Sequence, residues 1–261
     1  MYRELWRYRG FILVSVQREF SRRYSHSLLG PLWVFIHPAV TIAVYTVVFS
    51  QILAARLPGT NSTLDYGVFL CTGVLAWGLF AEITAKSQGM FLEHAALIKK
   101  LSFPPLSLPV AVVLNALINF CIIFALFALM LLALGKFPGV TLVAMLPVVI
   151  VLVVLAVGIG LMMGVLNVFF RDAGQFYTVW LQFWFWLTPV VYPWDALSPV
   201  AQGLMRANPM APILLSAQSV VLHRQWPQWG AMVYPLGLGL AFCVGGLYLF
   251  HVRRGDMLDE L

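Results

Sequence analysis

Nine aromatic residues fall within one apolar stretch and its exit: Phe176, Tyr177, Trp180, Phe183, Trp184, Phe185, Trp186, Tyr192 and Trp194. Flat rings stack on the C–H faces of sugars while the hydroxyls stay wet, so such a cluster suits the guiding of a hydroxylated chain. Successive helical positions turn by ~100°, so the four rings at 183–186 cannot share one direction. Some face lipid as an interfacial belt, and the others are expected to face an interior path. Trp180 and Trp184, four apart, share a helix face with Phe176 one turn before. A lipid belt for the whole cluster stays open as the alternative.

Other chemistry is sparse. Coupling to protons or sodium calls for ionisable groups at membrane depth. Glu82 qualifies, but Lys86 one turn on offers a neutralising partner. No GxxxxGK[ST], HExxH, GxSxG or paired acidic metal motif occurs. Histidines at 26, 37, 94, 223 and 251 lack ligand spacing, and Cys71, Cys121 and Cys243 each sit alone in apolar runs. The chain is expected to hold no metal or cofactor and not to be an enzyme by itself.

The elements that must position these residues follow from composition. The 261 residues are 61% apolar and 10% charged, against about 25% charged in a soluble domain, and mean hydropathy is +0.89. A water-soluble globule is excluded. Charge-free runs cover Tyr24–Ala55, Leu101–Gly135, Phe137–Phe170, Ala173–Trp194 and Gln225–Val252, and Tyr66–Ala85 is broken only by Glu82. Each reaches the ~20 residues that cross a bilayer. The expectation is an all-α polytopic membrane protein, one transmembrane domain over 1–261, with spans near 32–55, 66–85, 106–134, 142–168, 174–192 and 230–252. If these alternate, twelve Lys and Arg lie on one side and four (Arg56, Lys136, Arg206, Arg224) on the other, which puts both termini in the cytoplasm. The positive residues cluster on no soluble face, so nucleic acid is not an expected partner.

Between the spans, Leu5, Tyr8, Ile12, Val16 and Phe20 recur at helical steps beside arginines, so residues 1–30 read as an amphipathic helix in the membrane interface. Residues 87–105 carry Phe91, Leu92, Leu97 and Ile98 among Glu93, His94, Lys99 and Lys100, a short greasy-faced helix that lies on lipid or docks a partner. Gly160 and Gly164 permit close helix approach. Residues 193–229 hold five prolines and a dozen-residue apolar stretch too short to cross, which suits re-entrant or interfacial gate helices.

The order of features resembles the membrane subunits of ABC-2 type polysaccharide exporters. The shared residues are Arg23-Tyr24, Ser27-Leu28-Leu29-Gly30-Pro31-Leu32-Trp33 with Pro38, Gly73, Trp77, Leu97-Ile98-Lys99-Lys100, Phe103-Pro104, Asn167 with Phe170-Arg171-Asp172, Thr188-Pro189 with Tyr192, and Asn208-Pro209. The resemblance implies a homodimer in the bacterial inner membrane that sits, among membrane lipids, on two copies of a separate ATPase holding ATP and Mg. The cargo would be a lipid-linked polysaccharide, with O-antigen as the best fit. Capsule, teichoic acid and small-molecule exporters stay open as alternatives. It further implies a glycan path at Trp77, Phe176, Trp180, Phe183, Trp184 and Tyr192, and coupling to the ATPase through Phe91, Ile98, Lys99, Lys100 and Phe103. Arg23, Arg171 and Asp172 would stand at the cytoplasmic entrance, and Pro193, Asn208 and Pro209 at the gate. Arg171-Asp172 could be a lock there or a plain anchor with a local ion pair.

Overall fold

A computed structural model describes residues 63–99 and 105–261, with isolated positions between Gly10 and Val44. The expected interface helix over 1–30, the first span over 32–55, and Arg23, Lys100 and Phe103 lie outside the described residues.

Every regular element among the described residues is helical. Helix α1 (Thr63–Glu93) is followed by the single turn α2 (Ala95–Ile98), then α3 (Ser107–Ala133), α4 (Met145–Phe169) and α5 (Arg171–Trp186). Beyond these come the short α6 (Pro199–Met205) and α7 (Met210–Gln218), then α8 (Trp229–Val252) and α9 (Arg254–Glu260). Four apolar segments among the described residues are long enough to cross a membrane: 64–93, 107–133, 139–169 and 229–252. In α1 and α4, 67% and 50% of the apolar window is buried within the chain, against 22% in α3 and in α8. The first two form the centre and the others the flanks.

Helix α4 sits between α1 and α8 and packs most extensively against these two. In lipid no hydrophobic force draws helices together, so close contact depends on small residues. A Cβ added at Gly158 would lie 2.5 Å from the Gly239 carbonyl oxygen, and one at Gly239 would lie 2.8 Å from the Leu155 backbone. On another face of α4, a Cβ at Gly160 would meet Ser87 Cβ and one at Gly164 the Ser87 carbonyl oxygen, both at 2.6 Å. The Gly160/Gly164 spacing therefore does bring a neighbour close, and that neighbour is α1. Gly135 ends α3 at φ 69°, and the bonds from Lys136 N to Leu131 O and from Gly135 N to Leu132 O make a Schellman cap. Lys136 pairs with Asp65 in the first turn of α1. These residues mark one end of the bundle; Arg171 and the α9 helix mark the other.

Three boundaries differ from the sequence expectation. Helix α1 does not stop near Lys86 but runs to Glu93, because Ser87, Met90 and Phe91 continue its inward face: Ser87 against Gly160 and Gly164, Phe91 stacked on Phe250 at 5.6 Å. Residues 87–93 are thus the last turns of α1, and only Ala95–Ile98 forms a separate turn of the expected 87–105 helix. The fifth span ends at Trp186 rather than 192, leaving 16 residues, about 24 Å at ~1.5 Å per residue. A C-terminal helix, α9, was not anticipated; its Met257 is buried in a second core with Met90, Phe91, Leu161 and Phe250.

If the α4/α8 contact holds the bundle, Gly158→Ala lowers the melting temperature of the purified protein by the equivalent of about 1–3 kcal/mol of overpacking. Gly237→Ala and Gly245→Ala, whose added Cβ atoms meet nothing within 4 Å, do not lower it in the same thermal melt.

Candidate functional site

Helix α5 carries the aromatic cluster, and polar side chains fasten both its ends. At the Arg171 end, Phe170 takes an extended conformation (φ −130°, ψ 92°) that separates α4 from α5. Asn167 bridges the break: its Oδ1 accepts from Gly174 N at 3.0 Å, and its Nδ2 donates to the Gln88 carbonyl of α1 at 2.9 Å. A Cβ at Gly174 would sit 2.6 Å from that Oδ1, so a larger residue there would push the Asn167 amide out of its place. Gln88 Nε2 also donates to Thr178 Oγ1 at 3.0 Å. The clasp joining α1, α4 and α5 is therefore amide-based. Arg171 and Asp172 are exposed at the start of α5 and form no ion pair with each other, since neighbours in a helix point in different directions.

At the other end the chain from Leu187 to Ser198 is largely irregular, and its carbonyls need partners. Side chains supply them. Tyr192 Oη donates to Trp186 O at 2.8 Å, Asn208 Nδ2 to Leu187 O at 3.0 Å, and Gln218 Nε2 to Pro189 O at 3.3 Å. Tyr66 Oη donates to Val191 O at 2.6 Å and Gln202 Nε2 to Trp194 O at 3.2 Å. Asn208 is the centre of this set. Its Oδ1 accepts from Trp184 Nε1 and from Met210 N, both at 3.0 Å, and its Nδ2 also reaches Thr188 Oγ1 at 2.9 Å. One amide thus ends α5, orients Trp184 and caps α7, with Pro209 beside it at the N-cap of α7 and Pro193 at the start of a short 3₁₀ turn. Of the three expected gate residues, Pro193 lies in this irregular segment, and Asn208 and Pro209 lie between α6 and α7, from where Asn208 binds it.

The structure divides the expected path residues. Trp77 is buried at 8% exposure and meets Trp184 edge-on at 6.1 Å and Phe185 at 5.7 Å. Trp184 also lies edge-on to Phe80 at 5.1 Å. These two tryptophans are packing groups within the chain. Phe176, Trp180 and Phe183 are 69%, 42% and 62% exposed and, at steps of four and three, form one stripe along α5. Tyr192 is half-buried with its hydroxyl committed to Trp186 O.

The coupling set divides too. Phe91 and Ile98 are interior, at 0% and 7% exposure, while Lys99 is exposed. The first two pack in the second core, Phe91 because α1 extends past the expected boundary and carries its buried face with it, and Ile98 from the α2 turn. Glu82 pairs with Lys86 at 3.0 Å and accepts from Asn119 Nδ2 at 2.9 Å, the pairing expected from their spacing. Asn167, Gln218, Gln88 and Tyr66 were not anticipated as anchors. The available signal was a polar residue inside an otherwise apolar run, Asn167 and Gln218 being only 7% and 3% exposed.

Known proteins align with this arrangement. Residues 11–222 match the sequence profile described as ABC-2 type transporter. The O-antigen export system permease protein RfbA of Myxococcus xanthus is 28% identical over 261 residues, covering 99% of this chain and 98% of that protein. The protein of the same name from Klebsiella pneumoniae is 26% identical over 213 residues, 81% of this chain and 80% of its own. The polysialic acid transport protein KpsM of Escherichia coli is 20% identical over 246 residues, 93% of each chain. With the profile covering most of its length and long apolar helices to match, the chain belongs to the ABC-2 type transporter family.

Proposed function

We propose that this chain is the permease subunit of an ATP-driven exporter that carries a lipid-linked polysaccharide, an O-antigen in particular, across the bacterial inner membrane. The observation that carries the proposal is similarity along nearly the full length of both chains to an O-antigen export permease. The likeness to a polysialic acid transport protein over 93% of the chain keeps capsule within the same substrate class.

The chemistry supports a long sugar chain as cargo. A chain that slides past a wall must not be held repeat by repeat, and flat aromatic faces give weak, unspecific contact where buried hydrogen bonds would arrest it. The exposed stripe Phe176, Trp180, Phe183 offers such a wall once a second copy faces it, so the functional unit is a homodimer. ATP and Mg belong to two partner ATPase subunits, because this sequence contains no phosphate-cradling loop. With six alternating spans, the twelve-to-four distribution of positive residues puts both termini in the cytoplasm. In that topology the Arg171 end faces the cytoplasm and offers exposed Lys99 to the ATPase. The irregular region around Asn208 forms the periplasmic gate, its proline-rich backbone tolerated because side chains satisfy its carbonyls.

A strain lacking the gene is expected to lose surface polysaccharide and accumulate it, lipid-linked, inside the cell; immunoblots of surface and whole-cell glycan check this, and unchanged surface glycan would contradict it. In the same strain, Trp180→Ala with Phe183→Ala should restore several-fold less surface glycan than wild type, since aromatic contacts are worth about 0.5–1.5 kcal/mol each, with chain abundance and ATPase association normal. Tryptophan-to-phenylalanine exchange should be milder.

Asn208 gives an independent expectation. Asn208→Asp keeps the acceptor for Trp184 and Met210 but sets a carboxylate against the Leu187 carbonyl, and loss of a hydrogen bond at such a site costs about 1–3 kcal/mol where the groups are buried, less at the exposed Leu187 carbonyl. Limited proteolysis should cut the 187–208 region faster in this variant, while Gln175→Glu, exposed near the other end of α5, serves as the comparison.

A further inference from the structure

Beneath the gate region lies a cavity of about 660 Å³, within the ~300–1,000 Å³ range of small-molecule sites. Its wall takes residues from the 194–195 turn, the end of α6, α7 and the start of α8. The backbone is unusual where it forms this wall. Helix α7 passes into a π-helical turn over Ser219–His223, and Arg224 then adopts a left-handed conformation at φ 55°. A π-turn is a recurrent feature of functional sites, and positive φ at a non-glycine residue is a cost the surrounding structure must hold in place.

The lining is chemically mixed. Asp195 can only accept hydrogen bonds, Arg206 can only donate, and Gln218 and His223 do both. Trp194 and Tyr234 add aromatic surface. Gln218 is 3% exposed, and its Nε2 is committed to the Pro189 carbonyl while its Oε1 is buried with no hydrogen-bond partner among the described residues. Gly73 makes room for this amide, since a Cβ there would lie 3.0 Å from Nε2 and 2.8 Å from the Val190 carbonyl oxygen. A lipid tail would leave these polar groups unused, and a simple anion would be opposed by Asp195. A hydroxylated ring suits Asp195, Arg206 and His223 together, because each hydroxyl both donates and accepts, and the ring's C–H faces suit aromatic surface.

We infer that this cavity, inside one chain beside the gate, is a binding site for a sugar unit of the exported glycan. It rests on the glycan-export reading above and adds to it a place where the emerging chain is held outside the aromatic stripe. Asp195 and Arg206 grip hydroxyls at the mouth, both being exposed, and Gln218 lies deeper in the wall.

The test uses the complete permease with its ATPase in nanodiscs. Cys71, Cys121 and Cys243 are replaced by Ala and Ser219→Cys is introduced on the cavity wall. The rate of thiol modification by a membrane-impermeant methanethiosulfonate is then measured. The probe is the oligosaccharide released by mild acid from the host's own surface polysaccharide, with glycerol at equal concentration as the control. The oligosaccharide should slow modification and glycerol should not. Asp195→Ala or Arg206→Ala should weaken that protection at least about fivefold, with melting temperature unchanged. A thiol that never reacts, equal protection by glycerol, absence of protection, or protection indifferent to both variants would overturn the inference. Gene deletion separates the two levels: loss of surface glycan with no protection refutes the cavity and leaves the export reading standing, whereas intact surface glycan refutes the export reading and the sugar site with it.

Discussion

Two helices in a membrane approach backbone to backbone only where no side chain stands between them, and α4 meets that condition toward two neighbours. Gly158 lies against Gly239 of α8, and Gly160 and Gly164 lie against Ser87 of α1. Since lipid is as apolar as leucine, this packing, rather than exclusion of water, holds the central helices together. The rest depends on it. With α1 fixed against α4, Trp77 and Phe80 come under Trp184, and Gln88 reaches Thr178 and Asn167. Helix α5 is then held along one side and free along the stripe of Phe176, Trp180 and Phe183.

The second constraint concerns backbone that is not helical. From Leu187 to Ser198 the chain leaves α5 and does not complete another helix of any length, and at this end of the bundle each carbonyl without a partner is costly. Four side chains from other parts of the fold, among them Asn208 and Gln218, and Tyr192 of the segment itself donate to carbonyls between Trp186 and Trp194. A segment built in this way is held by directional bonds at defined points.

Much of the helical framework was legible because long charge-free runs and small-residue spacing are local properties. The helices at 107–133 and 229–252 fall within one or two residues of expectation, and the Glu82–Lys86 pair follows from a four-residue step. The ends were less legible. Nothing in residues 87–93 announces that α1 continues; that follows from Ser87 meeting two glycines more than seventy residues away. At the end of α5 Pro189 cannot continue the helix, and the Leu187 carbonyl is taken up by Asn208, 21 residues beyond it. The aromatic cluster was visible as a composition, but its division into buried Trp77, half-buried Trp184 and the exposed stripe depends on which side of α5 meets α1.

The central claim is that this chain provides the membrane path and a partner provides the energy. Proteoliposomes holding the chain and its ATPase, oriented with the ATPase outside, test it most directly when radiolabelled lipid-linked polysaccharide and ATP are added to the outer face. The account predicts that glycan becomes protected from an added glycosidase only when both proteins and hydrolysable ATP are present. Equal protection in vesicles that lack this chain, or none in vesicles that hold both proteins, active ATPase and ATP, would contradict it.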